Sequence, residues 1–108
     1  MAGGVSRGDI WLYRFARPDK RRPVLVLSRQ RALDHLRTAV VAPITTSAHG
    51  LPSEVVVGVA EGLKQTCVVN LDHLYTVVQA DLAKFVGVLD AKKMDAVCSA
   101  LAVALGCA

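Results

Sequence analysis

The stretch Arg21-Arg22-Pro23-Val24-Leu25-Val26-Leu27-Ser28, read with its echo Val40-Val41-Ala42-Pro43-Ile44-Thr45-Thr46, decides how this chain folds. Each joins a run of β-branched and aliphatic residues, the composition of a buried strand, to polar groups at a strand end. An arginine precedes the first run and two hydroxyls follow the second. Pairing the two strands sets Arg22, Thr45 and Thr46 at fixed positions on one rim, which is how a small domain builds a site.

Reading outward, Arg7 to Phe15 is a first strand, with Trp11, Tyr13 and Phe15 on one parity and Ile10 and Leu12 on the other, and its aromatic side is assigned to the core. Residues 16–22 form a loop, because Pro18-Asp19 is a turn signal and its cations repel one another in a core. Pro23 opens the second strand, through Ser28, at the position where a missing donor does least harm. Residues 29–37 suit a short helix with Leu33 and Leu36 facing inward. Thr38 to Ile44 is a third strand, and Pro43 argues for an edge or a bulge that turns Thr45 and Thr46 away from the ladder.

A fourth strand follows at Glu54 to Gly58. Thr66 to Val78 reads as one long strand that carries Asn70 and Asp72 on the same face. Lys84 to Leu89 is a last strand. Asp90 then caps a helix that runs to Leu105 and stops at Gly106, with Met94, Val97, Cys98, Leu101 and Leu105 as its packing stripe. The expected design is α+β: five or six short antiparallel strands in a small closed or half-closed sheet, a short connecting helix and a C-terminal helix. Residues 1–108 are read as one domain, a length that can bury roughly two thirds of its unfolded surface.

Charge is unevenly spread. Residues 1–40 hold nine Lys/Arg against three Asp/Glu, whereas residues 41–108 hold four against six, and all eight arginines fall within the first 37 residues. Arginine's planar fork matches phosphate oxygens, so this bias points to a polyanionic partner. Three cysteines without CxxC spacing indicate neither a disulfide framework nor zinc, and the histidines share no metal-ligand spacing. Cys67 and Cys98 are expected to be buried. No apolar leader occupies residues 1–8, and the apolar stretch near the C-terminus is too short to span a bilayer. The expectation is a cytoplasmic protein with no membrane partner, no metal and no cofactor.

Taken in order, Arg7-Gly8-Asp9-Ile10-Trp11, Arg22-Pro23-Val24-Leu25-Val26-Leu27-Ser28, Val41-Ala42-Pro43-Ile44-Thr45-Thr46, the Leu51-Pro52 pair, Leu71-Asp72-His73-Leu74-Tyr75-Thr76-Val77 and the closing helix resemble the MazF/PemK toxin family over nearly the whole chain. The resemblance implies an SH3-like antiparallel barrel, a homodimer, metal-independent cleavage of single-stranded mRNA at short sequences, and inhibition by a cognate antitoxin. By the same resemblance Arg22 and Thr45 are the catalytic pair. Arg17, Lys20, Arg21, Thr46, Asn70 and Asp72 are the expected RNA contacts. The loop at residues 17–21 is shorter than is usual in the family, and His73 and Tyr75 are variant.

The implied reaction is attack of the ribose 2′-OH on the adjacent phosphorus, leaving a 2′,3′-cyclic phosphate and a 5′-OH. It asks for stabilisation of a phosphorane, which an arginine fork and a threonine hydroxyl can supply. Two other readings use the same fold. Toxins that poison DNA gyrase bind a protein and need no strand-end arginine and threonine, and a module that holds RNA without cutting it would fit the altered 16–22 loop.

Overall fold

A computed structural model describes residues 4–15 and 21–108. Within them lie β1 (Asp9–Arg14), β2 (Arg21–Val26), α1 (Gln30–His35), β3 (Thr38–Thr45), β4 (Glu54–Val57), β5 (Cys67–Asn70), β6 (Tyr75–Val78), β7 (Leu82–Val88) and α2 (Ala91–Ala104), with 3-10 turns at Val59–Glu61 and Gln79–Asp81. The strands make one antiparallel sheet in the order β4-β5-β3-β2-β1-β7, and β6 lies beside β5 along the same edge of β3. The architecture is α+β, as the sequence indicated. No helix among the described residues is long and apolar enough to cross a membrane.

The sheet has to curl. β6 and β7 stand at opposite ends of the row β6-β3-β2-β1-β7, yet only Gln79–Asp81 joins them. In a flat sheet four strand spacings would separate them by roughly 19 Å. The chain from Val78 to Leu82 can span at most about 14 Å. Val77 and Leu82 accordingly share one core cluster with Val24, Val26, Leu33, Ala39 and Val41 on the concave face. No β6–β7 ladder closes the seam among the described residues, so the SH3-like barrel remains open along that line.

A second core fills the other face, where Ile10, Leu25, Ala42, Ile44, Val69 and Leu71 pack beneath α2. Asp90 caps α2 as expected, its Oδ1 accepting the Lys93 N–H at 2.8 Å. The helix ends in a Schellman motif, with Cys107 N–H donating to Ala102 O and Gly106 N–H to Val103 O, Gly106 being left-handed. The packing stripe is rotated from its expected position. Val97, Ala100, Leu101 and Ala104 face the core with Met94, while Cys98 and Leu105 are exposed. The small alanines let the helix settle against the sheet on their side.

Other expectations change for local reasons. Leu36 is the C-cap of α1 and is exposed, leaving Ala32 and Leu33 as its buried residues. The strand expected from Thr66 to Val78 is two strands separated by a turn at residues 71–74. β3 is paired along both edges, and Thr45 stays in register with Val68 of β5. Pro23 is the third residue of a strand that is paired on both sides. Trp11, Tyr13 and Phe15 are half-buried at the margin of the concave core.

Candidate active site

The two prolines explain why the sheet opens where it does. Leu27 N–H donates to Val40 O, so the odd residues of β2 and the even residues of β3 turn their backbone groups toward each other. Pro23 belongs to that set and offers no donor to β3. The β2–β3 ladder ends beside it, at Val24↔Pro43. The odd residues of β3 address β6 and β5, and Pro43 withholds a donor there. Opposite it the neighbouring strand breaks between Asn70 and Tyr75, and residues 71–74 form a turn that keeps Leu71 in the core.

Arg22 and Thr45 occupy the opening. Val24 and Val26 point into the concave core, so alternation puts Arg22 on that face; Ala39 and Val41 do the same for Thr45. Carrying the register two residues past Val24↔Pro43 sets Arg22 across from Thr45, while Arg22 remains paired with Tyr13 of β1. Arg22 is exposed and Thr45 half-buried, as suits residues at a mouth. Ser47 N–H donates to Thr45 Oγ1 at 3.2 Å, which orients the hydroxyl and leaves its proton available. No carboxylate or hydrogen-bond acceptor engages the Arg22 guanidinium among the described residues. The pair offers a guanidinium fork and a hydroxyl proton to an incoming anion.

Comparisons with known proteins place the chain in a family. Residues 6–105 match the model of the PemK-like, MazF-like toxins of type II toxin-antitoxin systems. The chain belongs to that family. A probable endoribonuclease MazF5 of Mycobacterium tuberculosis is 42% identical over 108 residues, covering 99% of this chain and 98% of its own length. Among solved structures, the M. tuberculosis toxin MazF-mt6 superposes with a TM-score of 0.83 at 38% identity, over 91% of this chain and 96% of that one. A mycobacterial endoribonuclease in complex with its cognate antitoxin gives a TM-score of 0.85 at 25% identity, over 94% and 95% of the two chains.

In this MazF-like toxin the remaining expected contacts divide. Asn70, at the end of β5, shares the face of Thr45 through the register Thr45↔Val68. Its Oδ1 accepts the Asp72 N–H at 2.9 Å, closing an Asx turn, and its amide nitrogen has no partner among the described residues. Asp72 is in the turn and not on the strand face, because the strand has already broken. Its Oδ2 accepts from Ser53 Oγ at 2.5 Å, which ties the turn to the start of β4. Thr46 lies just past β3, exposed, on the opposite parity from Thr45.

Arg21 does not join Arg22. Consecutive strand residues point to opposite faces, and Arg21 lines a separate groove of about 570 Å³ with Leu12, Pro23, Lys64, Lys84 and Phe85. Arg17 and Lys20 lie outside the described residues. Two participants in the site's architecture escaped the sequence reading. Ser53, buried and bonded to Asp72, carries no local signal beyond its place before a strand. The cluster Tyr13–Phe15–Tyr75 has a visible signal on β1, its aromatic alternation, but Tyr75 joins it only through the curl of the sheet.

Proposed function

We propose that this MazF-family endoribonuclease cuts single-stranded RNA, in particular mRNA, at short sequences by a metal-independent transesterification centred on Arg22 and Thr45. The observation that carries the reading is the pairing of these two donors on one face, at the point where Pro23 and Pro43 part the strands. In the reaction the ribose O2′ bonds to phosphorus as its proton passes to solvent water, which also supplies the proton that O5′ gains. The P–O5′ bond then breaks, and O5′ takes up a proton, leaving a 2′,3′-cyclic phosphate and a 5′-OH. The charge that develops is on the nonbridging oxygens. Arg22 meets it with a charge-assisted fork, and Thr45 donates its free proton to one of those oxygens.

The guanidinium fork matches phosphate oxygens, so the role of Arg22 is electrostatic stabilisation. Asn70 offers its amide to the same strand of RNA, whereas Asp72 acts through the turn that it holds with Ser53. Arg17 and Lys20 complete the proposed RNA contacts. A homodimer in the cytoplasm, silenced by a cognate antitoxin, completes the proposal; solved relatives in complex with antitoxins support that partner.

The test is digestion of a long single-stranded RNA by the purified protein in excess EDTA, with product ends mapped and Arg22→Ala alongside. Discrete cuts ending in cyclic phosphate, absent in the variant, are expected. A folded protein that leaves the RNA intact under these conditions, or the same cuts from Arg22→Ala, would overturn the reading.

A further inference from the structure

The concave face holds a row of three aromatic rings that starts next to Arg22. Tyr13 is the cross-strand partner of Arg22. Its ring meets Phe15 edge-on at a centroid distance of 4.9 Å, and Phe15 meets Tyr75 at 5.1 Å and 64°. Tyr75 starts β6 opposite Val41, so it shares the face of Val41 and Thr45. Three strand spacings, roughly 14 Å in a flat sheet, lie between β1 and β6. Contact between Phe15 and Tyr75 is therefore a product of the curl, which draws this row across the mouth of the concave face.

The row differs from an ordinary core at one end. Tyr13 and Phe15 are half-buried, but Tyr75 is 44% exposed, a large flat surface at the far end of a row whose other end adjoins Arg22. Phe15 props the ring from within. Any nucleotide whose phosphate rests on Arg22 and Thr45 carries a base a few ångströms from that phosphate, and a base has two apolar faces that water solvates poorly. An aromatic ring held in place by a neighbouring ring is the surface that single-stranded bases stack on, and stacking accepts any base.

We propose that Tyr75, braced by Phe15, is a stacking subsite for a nucleobase of the RNA strand whose phosphate Arg22 and Thr45 hold. The inference rests on the RNA-cleaving reading above. The subsite contributes affinity and holds the backbone in position, while the choice of sequence is made elsewhere. Because it touches the base in both ground and transition states, its loss raises KM and leaves kcat nearly unchanged.

The test uses a short single-stranded RNA containing the mapped cleavage sequence, with 2′-deoxyribose at the cut nucleotide so that it binds without reacting. Affinity is measured for the wild type, Tyr75→Ala, Tyr75→Leu and Tyr75→Phe, with each base flanking the cut replaced in turn by an abasic site. Tyr75→Leu keeps apolar contact with Phe15, so folding survives if alanine disturbs it. The expected result is a loss of roughly 5- to 150-fold in Kd for alanine and leucine, near wild-type binding for phenylalanine, and one abasic position that weakens the wild type but not Tyr75→Leu.

Equal affinity of Tyr75→Leu and wild type for an RNA that the wild type cuts would overturn the subsite alone. A wild type that neither binds nor cuts RNA would overturn the reading beneath it as well. A changed oligomeric state with unchanged RNA affinity would assign the ring to contact between copies of the chain and overturn the proposal.

Discussion

Replacing Gly87 by alanine is predicted to unfold much of what holds β7 in place. At this residue β7 crosses the Val59–Glu61 turn with no room for a side chain. A Cβ on Gly87 would lie 2.0 Å from the Glu61 carbonyl oxygen and 2.9 Å from its carbonyl carbon, where ordinary contact begins at 3.4 Å. Both are backbone atoms, so no rotamer relieves the overlap. The facing residue, Gly62, is left-handed at φ +92°, and a Cβ there would lie 2.5 Å from Val86 O. The turn cannot simply retreat. Glu61 Oε1 accepts the Gly58 N–H at 2.6 Å, and Oε2 pairs with Lys93 Nζ of α2 at 3.3 Å.

Overpacking a core costs about 1–3 kcal/mol when side chains can adjust, and a backbone clash of more than an ångström belongs at or beyond the upper end. A loss of about 3 kcal/mol lowers the melting temperature of a domain this size by roughly 12–24 °C. Gly50→Ala is the comparison. Gly50 is left-handed at φ +67°, and a Cβ there would meet nothing within 4 Å, so only the backbone cost of about 1–2 kcal/mol applies. Thermal and urea unfolding followed by circular dichroism would measure both. A Gly87→Ala protein within about 1 kcal/mol of wild type, or less affected than Gly50→Ala, would mean that the Val59–Glu61 turn yields to the added methyl group.

Asp90→Ala removes the side-chain acceptor of the Lys93 N–H and should cost about 1 kcal/mol, read as a lower urea midpoint with an unchanged slope. Ser53→Ala leaves the Asp72 carboxylate without its 2.5 Å donor; a destabilisation of about 1 kcal/mol is expected, with the 70–74 turn becoming a faster site of amide exchange. Cys98 and Cys107 are exposed and Cys67 is buried, so a thiol reagent should modify two cysteines in the native protein and the third only on unfolding. Mass spectrometry of the labelled peptides checks the assignment.

The sequence made most strands legible because runs such as Val24 to Leu27 and Val40 to Ile44 carry their own pattern and are bounded by turn residues. It also brought Arg22 and Thr45 to attention, since a residue just outside a buried strand inherits that strand's position. What failed depended on information from elsewhere in the chain. Thr66 to Val78 reads as one strand from its own residues; it is divided because Pro43, on a different strand, withholds a donor opposite it. Adjacency in the chain does not put Arg21 beside Arg22, because the pleat sends neighbours to opposite faces.

The stripe on α2 misplaced Cys98 because a helical pattern gives a face but not the rotation at which small residues such as Ala100 allow closest approach. Tyr75 illustrates the same limit at the site. Nothing in its neighbourhood along the chain links it to Phe15, because their contact exists only once β1 and β6 curl toward each other.

Arg22 and Thr45 are proposed to act as one catalytic site across the parted ends of β2 and β3. The most direct test is a double-mutant cycle on single-turnover RNA cleavage with Arg22→Ala, Thr45→Ala and the double variant, each verified as folded. Cooperation on one phosphorane predicts that either single variant loses most of the rate and that the double loses little more. Rates that fall by the product of the two single effects would mean that the residues act independently, and undiminished cleavage in either single variant would contradict the site.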